Sequence, residues 1–265
     1  MIKEVSKKVL KKINPNTTQE EEKWINVFNE VQYRTDVLFE ALVSFYSLGL
    51  FLEQLQYHGL GNHYELYPIR YKASIYRSYI NVELNNLLDP KGQSSIVTFI
   101  NFFNKDLHEK TPKIKAIFKS KVKIDELDNH FKLFNKWLEE HSAEIAHIKY
   151  MRNKNFSHID HNFKYDNKIS YESLISMIVF ISDYLSKLPL LLDFSKVRVI
   201  NGEPVAINQT LIEGTPKEVI EIRFKQEISY LVNNLNFSKK DKKTFLLNCY
   251  DSITETLNKV SLIEI

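Results

Sequence analysis

Chain-breaking residues are scarce: six glycines and seven prolines stand among 265 residues, about 5 % of the chain where roughly 12 % is ordinary. A chain with so few places to turn is expected to fold as long helices. Five of the glycines, Gly59, Gly61, Gly92, Gly202 and Gly214, fall between segments of helical apolar spacing, and only Gly49 lies inside one. The breakers therefore mark the element boundaries.

Thr17 with Glu20 makes a capping-box signature, and helical spacing then holds from Trp24 to Leu55, up to the Gly59-Leu60-Gly61 break. Pro68 is expected to open a second helix, which Asp89-Pro90-Lys91-Gly92 closes. Ser94 or Ser95 can cap a shorter helix over Ile96 to Leu107, and Thr111-Pro112 opens another over Lys113 to Lys119. From Asp125 one long helix is expected, with Phe131, Phe134, Leu138, His141, Ile145, Ile148 and Arg152 forming a single stripe. Ser170 caps an apolar helix running to about Leu188, where Pro189 opposes continuation. Four long helices so joined suggest an antiparallel bundle over residues 1–195. In 196–265 a short hairpin is expected around Asn201-Gly202-Glu203-Pro204, then two helices opened by Thr215-Pro216-Lys217-Glu218 and Ser238-Lys239-Lys240-Asp241, a C-terminal helical appendage.

The remaining composition is that of a globular chain, with 43 % hydrophobic and 26 % charged residues, which excludes a disordered or collagenous class. Cys249 is the single cysteine, so no internal disulfide or cysteine-based zinc site can form, and a reducing cytoplasm is the expected location. The stretches Ala41–Leu52 and Leu174–Phe194 are short or interrupted by Asp183 and Lys187, so both read as buried helices with no role in a membrane. A net charge of +3 permits contact with nucleic acid without demanding it.

Arg152 carries the most information about chemistry, because a guanidinium on a stripe otherwise used for burial must meet an anion, a set of carbonyls or a subunit boundary. It opens the run Arg152-Asn153-Lys154-Asn155-Phe156-Ser157-His158-Ile159-Asp160. An arginine and a histidine with five residues between them, before a loop and at the end of a long helix in a four-helix arrangement, resemble the signature of the HEPN superfamily. The Arg-Asn-Lys…His-x-Asp order is similar to that of abortive-infection (AbiU-type) HEPN proteins, as is the helix end at Leu87-Leu88-Asp89. The resemblance covers roughly residues 25–195. Phe156 and Ser157 stand where small residues are frequent in that superfamily, and Asp160 stands where a nucleotidyltransferase-paired branch has tyrosine.

The resemblance implies an all-α HEPN-like bundle and an endoribonuclease of a prokaryotic defence or toxin system that needs neither metal nor cofactor. It also implies a homodimer with facing motifs, RNA as substrate, and an antitoxin or other defence-system partner. Arg152 and His158 are then the catalytic pair, with Asn153 and Asp160 in support. The residue types suit that chemistry, since an imidazole exchanges protons near neutrality and a guanidinium holds phosphate with two donors. On one unbroken helix, however, six steps leave Arg152 and His158 about 120° apart. Either the helix ends between them or two chains contribute. The alternatives are a non-catalytic HEPN-like module that binds RNA, a nucleotide or a partner, and a helical scaffold.

Other candidates read more simply. His158, Asp160 and His161, with His147, lack a defined fourth metal partner, and His141 is expected to be a satisfied core or interface histidine. Glu40, and Glu83 with Arg77, are expected at a rim or in helix salt bridges. Lys105–Lys123 and Lys239-Lys240-Lys242-Lys243 can follow an RNA backbone, but read first as solvated faces. The 14 tyrosines and 17 phenylalanines fall mostly at helical spacing and are assigned to the core before base stacking.

Overall fold

A computed structural model describes residues 19–60, 63–107, 124–157, 169–192, 197–200, 203–206, 216–235 and 238–260. Among these the chain forms eight helices: α1 (Gln19–Tyr57), α2 (His63–Leu88), α3 (Ile96–Leu107), α4 (Ile124–Glu140), α5 (Ser142–Ser157), α6 (Tyr171–Leu192), α7 (Pro216–Asn233) and α8 (Lys239–Lys259). Strands β1 (Val197–Ile200) and β2 (Glu203–Ala206) pair antiparallel, with Ile200 opposite Glu203. The expected hairpin is present, its second strand starting two residues earlier than the apolar pattern suggested. The expected helix over 113–119 and the Thr17 cap lie outside the described residues.

Helix α1 is the axis of the fold and packs against α2, α3, α6, α7 and α8. It ends where the sequence requires. Gly59 adopts φ +64, Leu60 N–H donates to Leu55 at 2.8 Å and Gly59 N–H donates to Gln56 at 3.0 Å, the two bonds of a Schellman C-cap. The chain then reverses into α2, and Arg34 on α1 pairs with Glu83 on α2 while Arg77 lies over the Phe45 ring, so the two helices run antiparallel. Ser95 caps α3 through its hydroxyl (Thr98 N–H, 3.0 Å), and Ser170 caps α6 in the same way (Ser173 N–H, 3.1 Å). Ser238 and Asp241 make the cap of α8.

Three expectations need correction. Helix α2 begins at His63 and contains Pro68; a proline so near the N-terminus forfeits a single hydrogen bond, and the upstream turn is anchored by buried Leu66. Helix α6 likewise continues past Pro189 to Leu192. The helix expected from Asp125 is two segments meeting at His141, although Trp137 still accepts from His141 N–H and His141 from Ile145 N–H, each at 3.0 Å. The His141 ring explains the irregularity: its Nδ1–H also donates to the Trp137 carbonyl at 3.0 Å and the ring stacks on the Trp137 indole. A side chain competing for its own helix's carbonyl disturbs the ladder locally.

Segments α4 and α5 together form the third arm of the bundle: α4 packs on α3 and α6, and α5 packs on α2. The contacts between α4 and α6 are aromatic. Trp137 stacks on Phe180 at 4.5 Å, Phe134 meets Tyr184 at 4.8 Å, and His130 lies face to face on Tyr184 at 4.0 Å. Helices α7 and α8 add Ile220, Phe224, Ile228, Phe245, Cys249 and Ile253 to the same hydrophobic cluster. The span Asn26–Tyr57 is long and apolar enough to cross a membrane, but 61 % of its 18-residue apolar window is buried within the protein, as a core helix requires.

His130 was not singled out by the sequence, yet it is buried and donates Nε2–H to the Tyr184 carbonyl at 3.1 Å. Burial is the main cause that pushes its pKa from 6.5 down to about 4. Between those values the unfolded chain takes a proton that the folded chain refuses, so stability is complete above pH 6.5 and falls as pH drops toward 4. By pH 5 the loss amounts to about 2 kcal/mol. Melting temperatures measured from pH 7.5 to 5 for the parent and His130→Phe should converge in acid, the variant gaining relative stability as pH falls; parallel curves would refute the assignment.

Candidate functional site

Arg152 lies in the last two turns of α5 and is half-buried. Its neighbours Ile148 and Met151 are buried, so this part of α5 is held against the protein and Arg152 sits at the margin of the packed face. Asn153 is the next residue of the same helix. His158 and Asp160 lie outside the described residues, together with His161, Asn162, Asp166 and Asn167. Helix α5 remains helical through Ser157.

The end of the bundle that holds Arg152 is fixed by topology. Helix α3 follows the C-terminus of α2 and packs on α4, and α5, continuing from α4, packs on α2. The C-terminal turns of α5 thus run back beside the N-terminal half of α2. Helices α7 and α8 meet α1 elsewhere: Arg223 pairs with Glu40, Phe224 packs on Tyr46, Phe245 on Phe51, and the Tyr46 hydroxyl donates to Thr256 at 2.8 Å.

The carboxylates weighed as candidates are structural. Glu83 accepts from Arg34 Nη2 at 2.6 Å and Nε at 2.9 Å, and Arg34 Nη1 donates to the Ser94 carbonyl at 3.1 Å, joining α1, α2 and the start of α3. Arg34 was missed as its partner because Arg77 is on the same helix, six residues away, and only tertiary packing brings Arg34 across. His141 is satisfied as expected, and His147 lies near Tyr150 on α5. Among the described residues no group of three His, Cys, Asp or Glu side chains converges as a metal would need. Cys249 is buried, and burial pushes its thiol up to about 12, which leaves no thiolate for nucleophilic work near neutrality. Of the first lysine-rich segment, Lys105 belongs to α3, and 108–123 lie outside the described residues. Lys239, Lys242 and Lys243 border a shallow groove of about 380 Å³ between α7 and α8, where Lys242 donates to the Asn233 carbonyl.

One signal went unread in the aromatic count. Tyr67 and Tyr71 on α2 are 59 % and 58 % exposed, with rings stacked at 6.3 Å and 12°. Their i, i+4 spacing falls opposite the Leu66, Ala73, Ile80 and Leu84 stripe, and that offset was legible in the sequence.

The architecture defines the class: an all-α bundle whose third arm ends on an arginine-led polar run. The family model HEPN AbiU2 matches residues 38–201, more than half of the chain, and the protein belongs to that family. Membership suggests a defence-related HEPN domain. No curated protein and no solved structure matches the chain.

The two carboxylates predict different costs. Glu83→Ala leaves the Arg34 guanidinium, 20 % exposed, without its counter-charge, and should lower stability by about 2–3 kcal/mol. Glu40→Ala removes an ion pair whose carboxylate is 56 % exposed and should cost less than about 1 kcal/mol. Urea midpoints measure both, and an equal loss would contradict the assignment.

Proposed function

We propose that the protein is an endoribonuclease of a prokaryotic defence or toxin system, acting in the cytoplasm at a composite site in a homodimer, with Arg152 and His158 as the catalytic pair. The observation that carries this reading is the placement of Arg152, half-buried near the end of α5 within the stretch matched to the HEPN AbiU2 family. A base removes the proton of a ribose 2′-hydroxyl, the oxygen attacks the adjacent phosphorus, and the 5′-oxygen leaves with a proton returned to it. The products are a 2′,3′-cyclic phosphate and a 5′-hydroxyl. His158 supplies the proton transfer and Arg152 neutralises charge gathering on the phosphoryl oxygens. Asn153 adds a donor to phosphate and Asp160 orients His158. Neither a metal nor a cofactor enters this scheme.

The two-chain form rests on the resemblance, which implies a homodimer with facing motifs; α5 itself runs to Ser157. The second reading is a HEPN-like module that binds RNA, a nucleotide or a partner protein without cutting. An antitoxin or defence-system partner fits either reading as the restraint on activity.

Cleavage of a mixed RNA pool is expected to persist in EDTA, to leave cyclic phosphate ends and to spare DNA. Arg152→Lys keeps charge but loses the planar two-donor fork, and His158→Ala removes proton transfer. Both should slow cleavage by roughly a hundred- to ten-thousandfold with circular dichroism and light-scattering mass unchanged. Asp160→Asn should only shift the acidic limb of the pH–rate profile. Wild-type rates in both Arg152→Lys and His158→Ala would overturn the reading, and a monomer at micromolar concentration would overturn the composite site.

A further inference from the structure

We infer that the N-terminal half of α2 and the C-terminal turns of α5 form one surface that binds single-stranded RNA, with Tyr67 and Tyr71 as the stacking platform for its bases. The inference deepens the ribonuclease reading by naming the form of substrate and residues that seat it. It begins with charge. From Leu66 to Val82 the sequence of α2 carries Arg70 and Lys72, besides Arg77 over the Phe45 ring, and no acid, and from Ile145 to Ser157 that of α5 carries Lys149, Arg152 and Lys154 and no acid. In a chain with 36 basic and 33 acidic residues, two packed helices that each lack acids over several turns give a local positive field that the net charge conceals. An anion is what such a field concentrates.

The aromatic part is equally specific. Tyr67 and Tyr71 are more than half exposed while their rings lie nearly parallel at 6.3 Å, and Tyr150 on α5 is 50 % exposed. Exposed tyrosines interleaved with cations suit unpaired bases, whose faces stack on rings while lysine and arginine follow the phosphates. A duplex hides those faces. Lys149 is exposed and Arg70 half-exposed, so both are placed for backbone contact. The occupant is therefore a flexible polyanion with accessible π-faces. An acidic protein surface would satisfy the charge and leave the rings unused.

The test uses the full chain with His158→Ala, so that substrate survives, and a fluorescein-labelled 12-nucleotide oligouridylate as probe. Tyr67→Ala with Tyr71→Ala should weaken binding about tenfold or more, whereas Tyr67→Phe with Tyr71→Phe, which keeps the rings, should stay within about twofold. Lys149→Ala should lower the slope of log affinity against log salt by about 0.7, and the alanine pair should leave that slope unchanged. Equal binding by the alanine pair, or a loss that appears equally with duplex RNA, would overturn the inference. So would a fall in light-scattering mass in the alanine pair, since the tyrosines would then be a protein contact. The two proposals fail separately. Tyrosine-dependent binding without any cleavage by the parent would sink the nuclease and leave the platform standing; cleavage that needs Arg152 and His158 with tyrosine-independent binding would do the reverse.

Discussion

Burial of α1 on opposite sides is the constraint from which the rest of the architecture follows. One side meets α2 through the Arg34–Glu83 pair and Phe45, and another meets α7 and α8 through Tyr46 and Phe51. A helix covered in this way must be apolar nearly all round, and the run from Ala41 to Leu52 is. Its termination must then be sharp, because α2 has to return along it. Gly59 in the left-handed region provides that reversal at little cost, where a side chain would strain the cap. The third arm is placed in turn, as α5 packs on α2, and with it Arg152.

Much of this was legible in the sequence because the local signals were chemically unambiguous. Ser95, Ser170 and Ser238 each cap the helix they precede, since an oxygen at that position satisfies an amide that has no other partner. The prolines misled for a related reason. Pro68 and Pro189 oppose helix locally, but each lies near a helix end where a single lost hydrogen bond is tolerable. The break at His141 was hidden because the apolar stripe continues across it. What disturbs the helix is a side-chain bond to the Trp137 carbonyl, and no periodicity reports that.

The candidate site was legible only in part. Arg152 announced itself by being a charge on an apolar stripe, an energetic anomaly visible without coordinates. Arg34 gave no such sign, since its partner Glu83 is 49 residues away and only packing joins them. The tyrosines of α2 read as core residues by their helical spacing, and it is their offset from the apolar stripe that sets them outside it. Leu66, Ala73 and Ile80 mark that stripe, being buried and out of phase with Tyr67 and Tyr71.

The electrostatic layout joins these features. Two acids of α1 and α2 are drawn into structural pairs, Glu40 with Arg223 and Glu83 with Arg34, which neutralises both partners within the scaffold. The stretches of α2 and α5 that carry Arg70, Lys72 and Lys149 contain no acid of their own. At ordinary ionic strength fields decay over roughly 8 Å, and it is this local imbalance that the proposed nucleic-acid ligand would meet. An uneven distribution of acids can therefore leave a basic face on a protein with a net charge of only +3. Binding energy then depends on where the lysines and arginines lie. In the ribonuclease proposed above, a helix that carries Arg152 beside such a face would bring a strand's phosphates within reach of the guanidinium without needing a deep pocket.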